Sequence, residues 1–203
     1  KKGNPEEAFQ LSEVTLPALK ANDVLIETEA FGLNYADVMA RRGLYREAPA
    51  FPCVIGYEVV GTIIQTGSSV DTTLIGKRVV AFTRFGGYAK HVITTKDAIA
   101  EIGKMPVNDA LALATQGVTA YYMSNYISPV RTGEHVLIHA AAGGVGTLLI
   151  QLAKQAGAIV IAKVSSKEKQ EKCLSLGADH AINYKDGNYA TAIERIIGVK
   201  KLD

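Results

Sequence analysis

The residues with most chemistry in them are Ala141-Ala142-Gly143-Gly144-Val145-Gly146. They follow a compact apolar stretch, His135–His139, and open an apolar-periodic one. In the frame G-x-G-x-x-G the run reads Ala141-x-Gly143-x-x-Gly146, with alanine in place of the first glycine. Two physical needs of a dinucleotide turn are still served: Gly143 lets backbone amides come close to a pyrophosphate, and Gly146 lets a helix pack on a sheet. A helix N-terminus there adds N–H donors and the positive end of a dipole. A bare glycine motif fits a tight packing turn equally well, and it is the strand before and the helix after that favour a dinucleotide.

An NAD-type site carries Asp or Glu at the end of the second strand, about 20 residues on, to hold the ribose 2′-hydroxyl. Here that strand ends Ala162-Lys163-Val164-Ser165-Ser166-Lys167, with no acid before Glu168 and with Lys163, Lys167 and Lys169 together. A 2′-phosphate suits this lining better, so the expected cofactor is NADPH. The plainer reading is a solvated helix start with ordinary surface lysines.

The elements that must position these residues fall into two regimes. In the first half, Val24–Phe31, Tyr57–Thr66, Lys77–Phe82 and Tyr88–Thr94 read as short strands punctuated by glycine, with Gly61 as a bulge and Gly86-Gly87 as a turn. Asn34 caps a short helix, 35–42, that Gly43 ends. This half suggests a small barrel-like domain. From Asn108, expected as a helix cap, the period changes, and Gln116–Tyr126 continues as a second helix. Then strands at 135–139, 158–164 and 180–184 alternate with helices at 145–156, 166–176 and 189–197. Ser165-Ser166-Lys167-Glu168 fits a capping box. Strand and helix in strict alternation predict a parallel sheet with right-handed crossovers.

The chain resembles the zinc-free quinone oxidoreductases (zeta-crystallin-like) of the medium-chain dehydrogenase/reductase superfamily, and also the vesicle amine transport protein group. The likeness rests on Phe31–Tyr45 (FGLNYADVMARRGLY), Gly56-Tyr57-Glu58 with Val59-Val60-Gly61, Gln116-Gly117-Val118-Thr119-Ala120, His139–Gly146 and Asp179–Tyr184, in the family's order. It implies an α/β protein: a GroES-like β-rich catalytic domain over 1–115, lacking its opening strand, then an incomplete Rossmann doubly wound sheet over 116–203. The resemblance implies an active site in the cleft between the two. It further implies that Ala142, Gly143, Gly144, Val145 and Gly146 cradle the pyrophosphate. Lys169, with Ser165 nearby, would reach the adenosine 2′-phosphate, Tyr184 would pack beside the adenosine, and Thr119 would lie near the nicotinamide. Asn34, Asp37 and Tyr45 would line the substrate cleft as the catalytic set.

The zinc-dependent relatives carry Cys where this chain has Asn34 and His where it has Tyr57, and the four-cysteine structural lobe is missing. The four histidines, at 91, 135, 139 and 180, show no ligand spacing, so no metal is expected. Without zinc to stabilise an alkoxide, reduction of an electrophilic acceptor is the easier reaction. A quinone or an α,β-unsaturated carbonyl takes hydride and spreads the charge into its own carbonyl, which the protein must orient and hydrogen-bond. Asn34 is a candidate donor to that oxygen. Tyr45 is either a proton donor, as in the similar enoyl-thioester reductases, or a wall of the pocket. Asp37 caps or orients its neighbours, and Tyr57 packs. Two alternatives stand beside the quinone or enone reductase: a nucleotide-binding protein that kept the fold and lost turnover, and an enoyl-thioester reductase.

Composition narrows the field further. With 22 Lys+Arg against 20 Asp+Glu, the net charge of +2 argues against a dedicated nucleic-acid binder. Cys53 and Cys173 cannot build a disulfide framework or a four-cysteine zinc site within the chain, and neither has the context of a nucleophile. The sequence has no apolar run of membrane-spanning length. A cytoplasmic protein is the expectation, and the resemblance implies a homodimer when full length. The stretch Val199–Asp203 reads as the start of a fourth parallel strand cut short, which predicts a fragment that is inactive alone.

Overall fold

The computed structural model describes residues 2–198 and 202 of the chain. The chain separates into two compact units, Lys1–Thr115 and Gln116–Asp203.

The first unit opens with a one-turn helix, α1 (Pro5–Ala8), and continues with β1 (Asp23–Phe31), α2 (Tyr35–Arg41), β2 (Glu58–Thr66), β3 (Arg78–Phe82), β4 (His91–Thr95), β5 (Ile99–Glu101) and α3 (Val107–Ala112). Among the described residues its strands form one antiparallel sheet in the order β4-β1-β2-β3-β5. Side chains alternate across a strand, and both faces of this sheet are apolar. Val24, Ile26, Val59, Ile63, Val79, Ala81 and Val92 fill one core. Val60 and Val80 face the other way, onto Ala110 and Ala114 at α3. The β1–β2 register shifts between Leu25 and Ile26 and again between Thr28 and Ala30, the second beside the Thr28–Gly61 pair, where a bulge was expected.

The second unit comprises α4 (Val118–Tyr122), β6 (His135–His139), α5 (Gly144–Gln155), β7 (Ile159–Val164), α6 (Lys167–Ser175), β8 (His180–Asn183) and α7 (Tyr189–Ile197). Among the described residues β6, β7 and β8 are parallel and adjacent in that order. Alternation along β7 assigns the helices to faces. Val160, Ala162 and Val164 pack with Ile150 and Ala153 of α5 and Cys173 of α6. Ile161, between them, packs with Ile182 and with Ile193 of α7 on the opposite face. Helices on both faces of a parallel sheet make the doubly wound arrangement that strand–helix alternation predicts. The expected α/β class, a β-rich antiparallel unit followed by a doubly wound parallel one, is borne out. The fourth-strand start expected at 199–203 lies outside the described residues, apart from Leu202.

Three local expectations are corrected. Asn108 is not a cap: α3 begins at Val107 after Pro106. The helix expected over 116–126 is regular only in α4, with wide five-residue turns at Leu113–Gly117 and Met123–Ile127. Ala114 leaves helical geometry there, and the Thr115 N–H goes to the Glu58 carboxylate rather than to a helical carbonyl. The capping box at 165–168 does not form. Ser166 is the cap of α6, its hydroxyl accepting the Lys169 N–H at 3.4 Å.

Candidate active site

In the first unit, two buried carboxylates organise the residues expected to do chemistry. Asp37 lies in the first turn of α2. Its Oδ2 accepts the Asn34 N–H at 2.9 Å, and its Oδ1 accepts the Gly56 N–H at 3.1 Å. The Tyr88 hydroxyl also donates to it. Glu58, 1 % exposed, begins β2. Its Oε1 accepts from the Asn34 amide Nδ2 at 2.9 Å, and its Oε2 accepts the Thr115 N–H at 3.0 Å. Gly32 makes room for it, because a Cβ there would fall 1.9 Å from Oε1. Burial pushes the pKa of both carboxyls up, against the pull of their hydrogen bonds.

Asn34 is therefore held twice, by its main chain to Asp37 and by its side chain to Glu58. Tyr45 meets Tyr57 edge-on, ring centroids 6.2 Å apart, and Phe85 lies 5.1 Å from Tyr57 on another side. Burial raises the Tyr57 pKa most, and a hydrogen bond with Tyr45 raises it further. Tyr57 packs, as expected, and it is also bonded to Tyr45. Cys53 is half-buried and Cys173 fully buried. Among the described residues no group of three or more His, Cys, Asp or Glu side chains is arranged to hold a metal ion.

In the second unit the expected residues other than Thr119 lie beyond the C-terminal ends of the parallel strands, where open α/β sheets bind ligands. After β6 the chain turns through Ala140, at φ 49°, and Gly143 becomes the N-cap of α5. The Gly143 N–H closes the turn onto the Ala140 carbonyl at 2.8 Å.

The three glycines answer to three different neighbours. At Gly146 a Cβ would meet the backbone of Ala140 and Ala141 at 2.6–2.7 Å, so this glycine serves helix–sheet contact. At Gly144 a Cβ would fall 1.8 Å from the Gln116 side-chain oxygen, so this glycine serves Gln116. At Gly143 the sole neighbour within 4 Å is the Ala140 oxygen at 3.1 Å, and the residue is exposed. Gly143 is the one of the three with space over it for a ligand. Ala142 and Val145 are half-buried beside it.

Beyond β7, the Lys169 ammonium donates to the Ser165 hydroxyl at 3.3 Å. Tyr184 stands exposed just after β8. Thr119 is exposed on α4, a helix packed against α5. Asn34, Asp37 and Tyr45 belong to the first unit, and the remaining expected residues to the second. Sequence reasoning missed Glu58 and Gln116 as site residues. The signal for Glu58 was an acid heading a strand that is otherwise largely apolar; Gln116 carried no local signal.

Residues 20–123, half of the chain, match the alcohol dehydrogenase GroES-like domain, and residues 144–203 match the zinc-binding dehydrogenase domain. The chain belongs to the alcohol dehydrogenase GroES-like family, in the medium-chain dehydrogenase/reductase superfamily. Its relatives in that superfamily include quinone oxidoreductases and VAT-1 homologues, so the expected kinship is borne out. A probable quinone oxidoreductase of Schizosaccharomyces pombe is 36 % identical over 187 residues, which cover 91 % of this chain and 56 % of that protein. The synaptic vesicle membrane protein VAT-1 homolog of Danio rerio is 34 % identical, over 89 % of this chain and 37 % of its own length. The crystal structure of Escherichia coli quinone oxidoreductase complexed with NADPH superposes with a TM-score of 0.93 at 33 % identity, over all of this chain and 62 % of that one. The chain thus spans less than two thirds of the length of these medium-chain relatives.

Proposed function

We propose that this chain belongs to an NADPH-dependent oxidoreductase that passes hydride to a quinone or an α,β-unsaturated carbonyl without zinc. The observation that carries the proposal is the open space over Gly143 at the N-terminus of a 12-residue helix, beside two glycines filled by the protein itself. The N–H donors and positive dipole end of that helix suit a pyrophosphate by charge. The lysine and serine beyond β7 suit a 2′-phosphate. NADPH, when bound, supplies the hydride. The quinone oxidoreductase relatives, one of them crystallised in complex with NADPH, support the same cofactor and acceptor class.

The first unit supports chemistry without a metal through its donor set. Asn34 and Tyr57 stand where zinc-dependent relatives carry ligands, and both are engaged in hydrogen bonds as neutral side chains. Tyr45 and Tyr57 offer aromatic surface to a planar acceptor. In this reading Asn34 and Tyr45 hydrogen-bond the acceptor oxygen, Tyr45 is a source of the proton that accompanies hydride, and Asp37 positions Asn34. The same proposal takes the protein to be a cytoplasmic homodimer acting on a small molecule. Among the described residues no helix is long and apolar enough to cross a membrane.

The test mixes the full-length protein with NADPH and a panel of quinones and enones and follows the nicotinamide absorbance band. Oxidation with at least one acceptor is expected, and none with any acceptor refutes the proposal. The likeness to a VAT-1 homolog favours a second reading, a nucleotide-binding protein without turnover, which NADPH binding without acceptor reduction would select.

A further inference from the structure

Lys163 is the unusual residue of β7. Its neighbours Ile161, Ala162 and Val164 are buried apolar side chains, and a lysine in such a strand needs somewhere to take its charge. It takes it to two exposed aromatic rings. The ammonium lies 3.5 Å from the centroid of the Tyr189 ring and 5.6 Å from that of Tyr184. Tyr184 follows β8 and Tyr189 is the first residue of α7, so a strand, a strand end and a helix start converge on one cation.

The main chain of Lys163 also belongs to the coenzyme end of the sheet. Its carbonyl accepts the N–H of Ala141, in the turn that leads to Gly143, at 3.3 Å. Two residues on is Ser165, whose hydroxyl accepts from the Lys169 ammonium. Lys163 and Lys169 thus flank the same strand end, with no acidic residue between β7 and Glu168.

We propose that Lys163, held on the faces of Tyr189 and Tyr184, is a specificity-determining residue that supplies a second positive charge for the ribose 2′-phosphate, beside Lys169. A ring face fixes an ammonium electrostatically while the ammonium keeps N–H donors for an anion. Both rings are two-fifths or more exposed, and Lys163 itself is half-buried between them and the strand, which leaves one side of the cluster open to solvent and to a ligand. A flexible lysine would give up rotamer freedom on meeting a phosphate; one already held by aromatic faces has given up much of it in advance. The inference rests on the NADPH reading above.

The experiment measures dissociation constants for NADPH and NADH, by quenching of nicotinamide fluorescence, in wild type, Lys163→Met and Lys163→Arg. Methionine keeps the apolar stem and removes the charge; arginine keeps the charge and still stacks on the rings. We expect Lys163→Met to weaken NADPH about 10-fold, the factor that corresponds to 1.4 kcal/mol, and NADH by less than about 2-fold. Lys163→Arg should keep the NADPH preference of wild type. Its measurement also covers the case in which the methionine variant fails to fold: an arginine variant that folds but loses the preference overturns the proposal. Equal weakening of both coenzymes by Lys163→Met overturns it too, because Lys163 would then act only by clamping the two tyrosines. So does an unchanged NADPH:NADH ratio. Wild-type protein that binds neither coenzyme overturns the NADPH reading and this inference together.

Discussion

Replacing each glycine of the turn by alanine should separate stability from coenzyme binding, because each added Cβ meets something different. In Gly146→Ala the new Cβ sits 2.6 Å from the Ala140 oxygen and 2.7 Å from the Ala141 Cα. Carbon contacts want about 3.5 Å, so α5 must retreat from β6 by roughly 0.8 Å. Overpacking of this kind costs about 1–3 kcal/mol, offset by up to about 1 kcal/mol of helix propensity gained. A net loss of about 1–2 kcal/mol is expected in urea denaturation, with the m-value unchanged. In Gly144→Ala the obstacle is the Gln116 carboxamide at 1.8 Å, the end of a flexible side chain. Removing it should relieve the clash: Gln116→Ala combined with Gly144→Ala is expected to be more stable than the sum of the single changes by about 1 kcal/mol. In Gly143→Ala the sole contact is 3.1 Å from one carbonyl, and the backbone φ of −81° suits alanine. Stability should stay within about 0.5 kcal/mol of wild type while NADPH affinity falls by about 10-fold or more. Gly143→Ala protein that binds NADPH normally, or Gly146→Ala protein as stable as wild type, would refute the assignment of one glycine to the ligand and one to packing.

Glu58 should leave a pH signature. Burial raises its folded-state pKa, so the contribution of this group to stability is fully present below its ordinary value and is lost as pH rises through the raised one. Glu58→Gln should therefore become steadily more stable relative to wild type as pH rises above the ordinary carboxylate range, read by urea denaturation at each pH, and a flat difference would contradict the direction of the shift. Ile150 is fully buried against the sheet of the second unit, and Ile150→Ala should cost about 2–5 kcal/mol in the same assay; a loss below about 1 kcal/mol would mean the core there collapses around the gap. Lys169→Ala should weaken NADPH by about 10-fold, from loss of a charge-assisted contact, and leave NADH nearly unchanged in a fluorescence titration. Equal effects on the two coenzymes would remove the 2′-phosphate from this residue.

Much of the second unit was legible because its signals are local. The runs His135–His139 and Tyr189–Ile197 coincide with β6 and α7, and the glycine run sits between strand and helix as its pattern implied. Helix starts were read less well. The caps expected at Asn108 and at Ser165 each fall a residue or two from the observed starts, after Pro106 and Ser166, because where a helix begins depends on where neighbouring elements take the chain. The break before α4 illustrates the cause, since it follows from a hydrogen bond between Thr115 and Glu58, distant in sequence.

Taken alone, the sequence determined the α/β class, the change of period near residue 108, the dinucleotide-type turn and the lysines beyond β7, because hydrophobic period and turn chemistry are properties of short stretches. Only the tertiary structure decided what each site residue touches. Glu58 reaches Asn34 across 24 residues through the sheet that seats β2 beside the end of β1. Gln116 closes over Gly144, and Lys163 rests on Tyr189, because sheet order and crossover direction bring those elements together. Such pairings depend on register and packing between elements far apart in the chain, and no local pattern of residues encodes them.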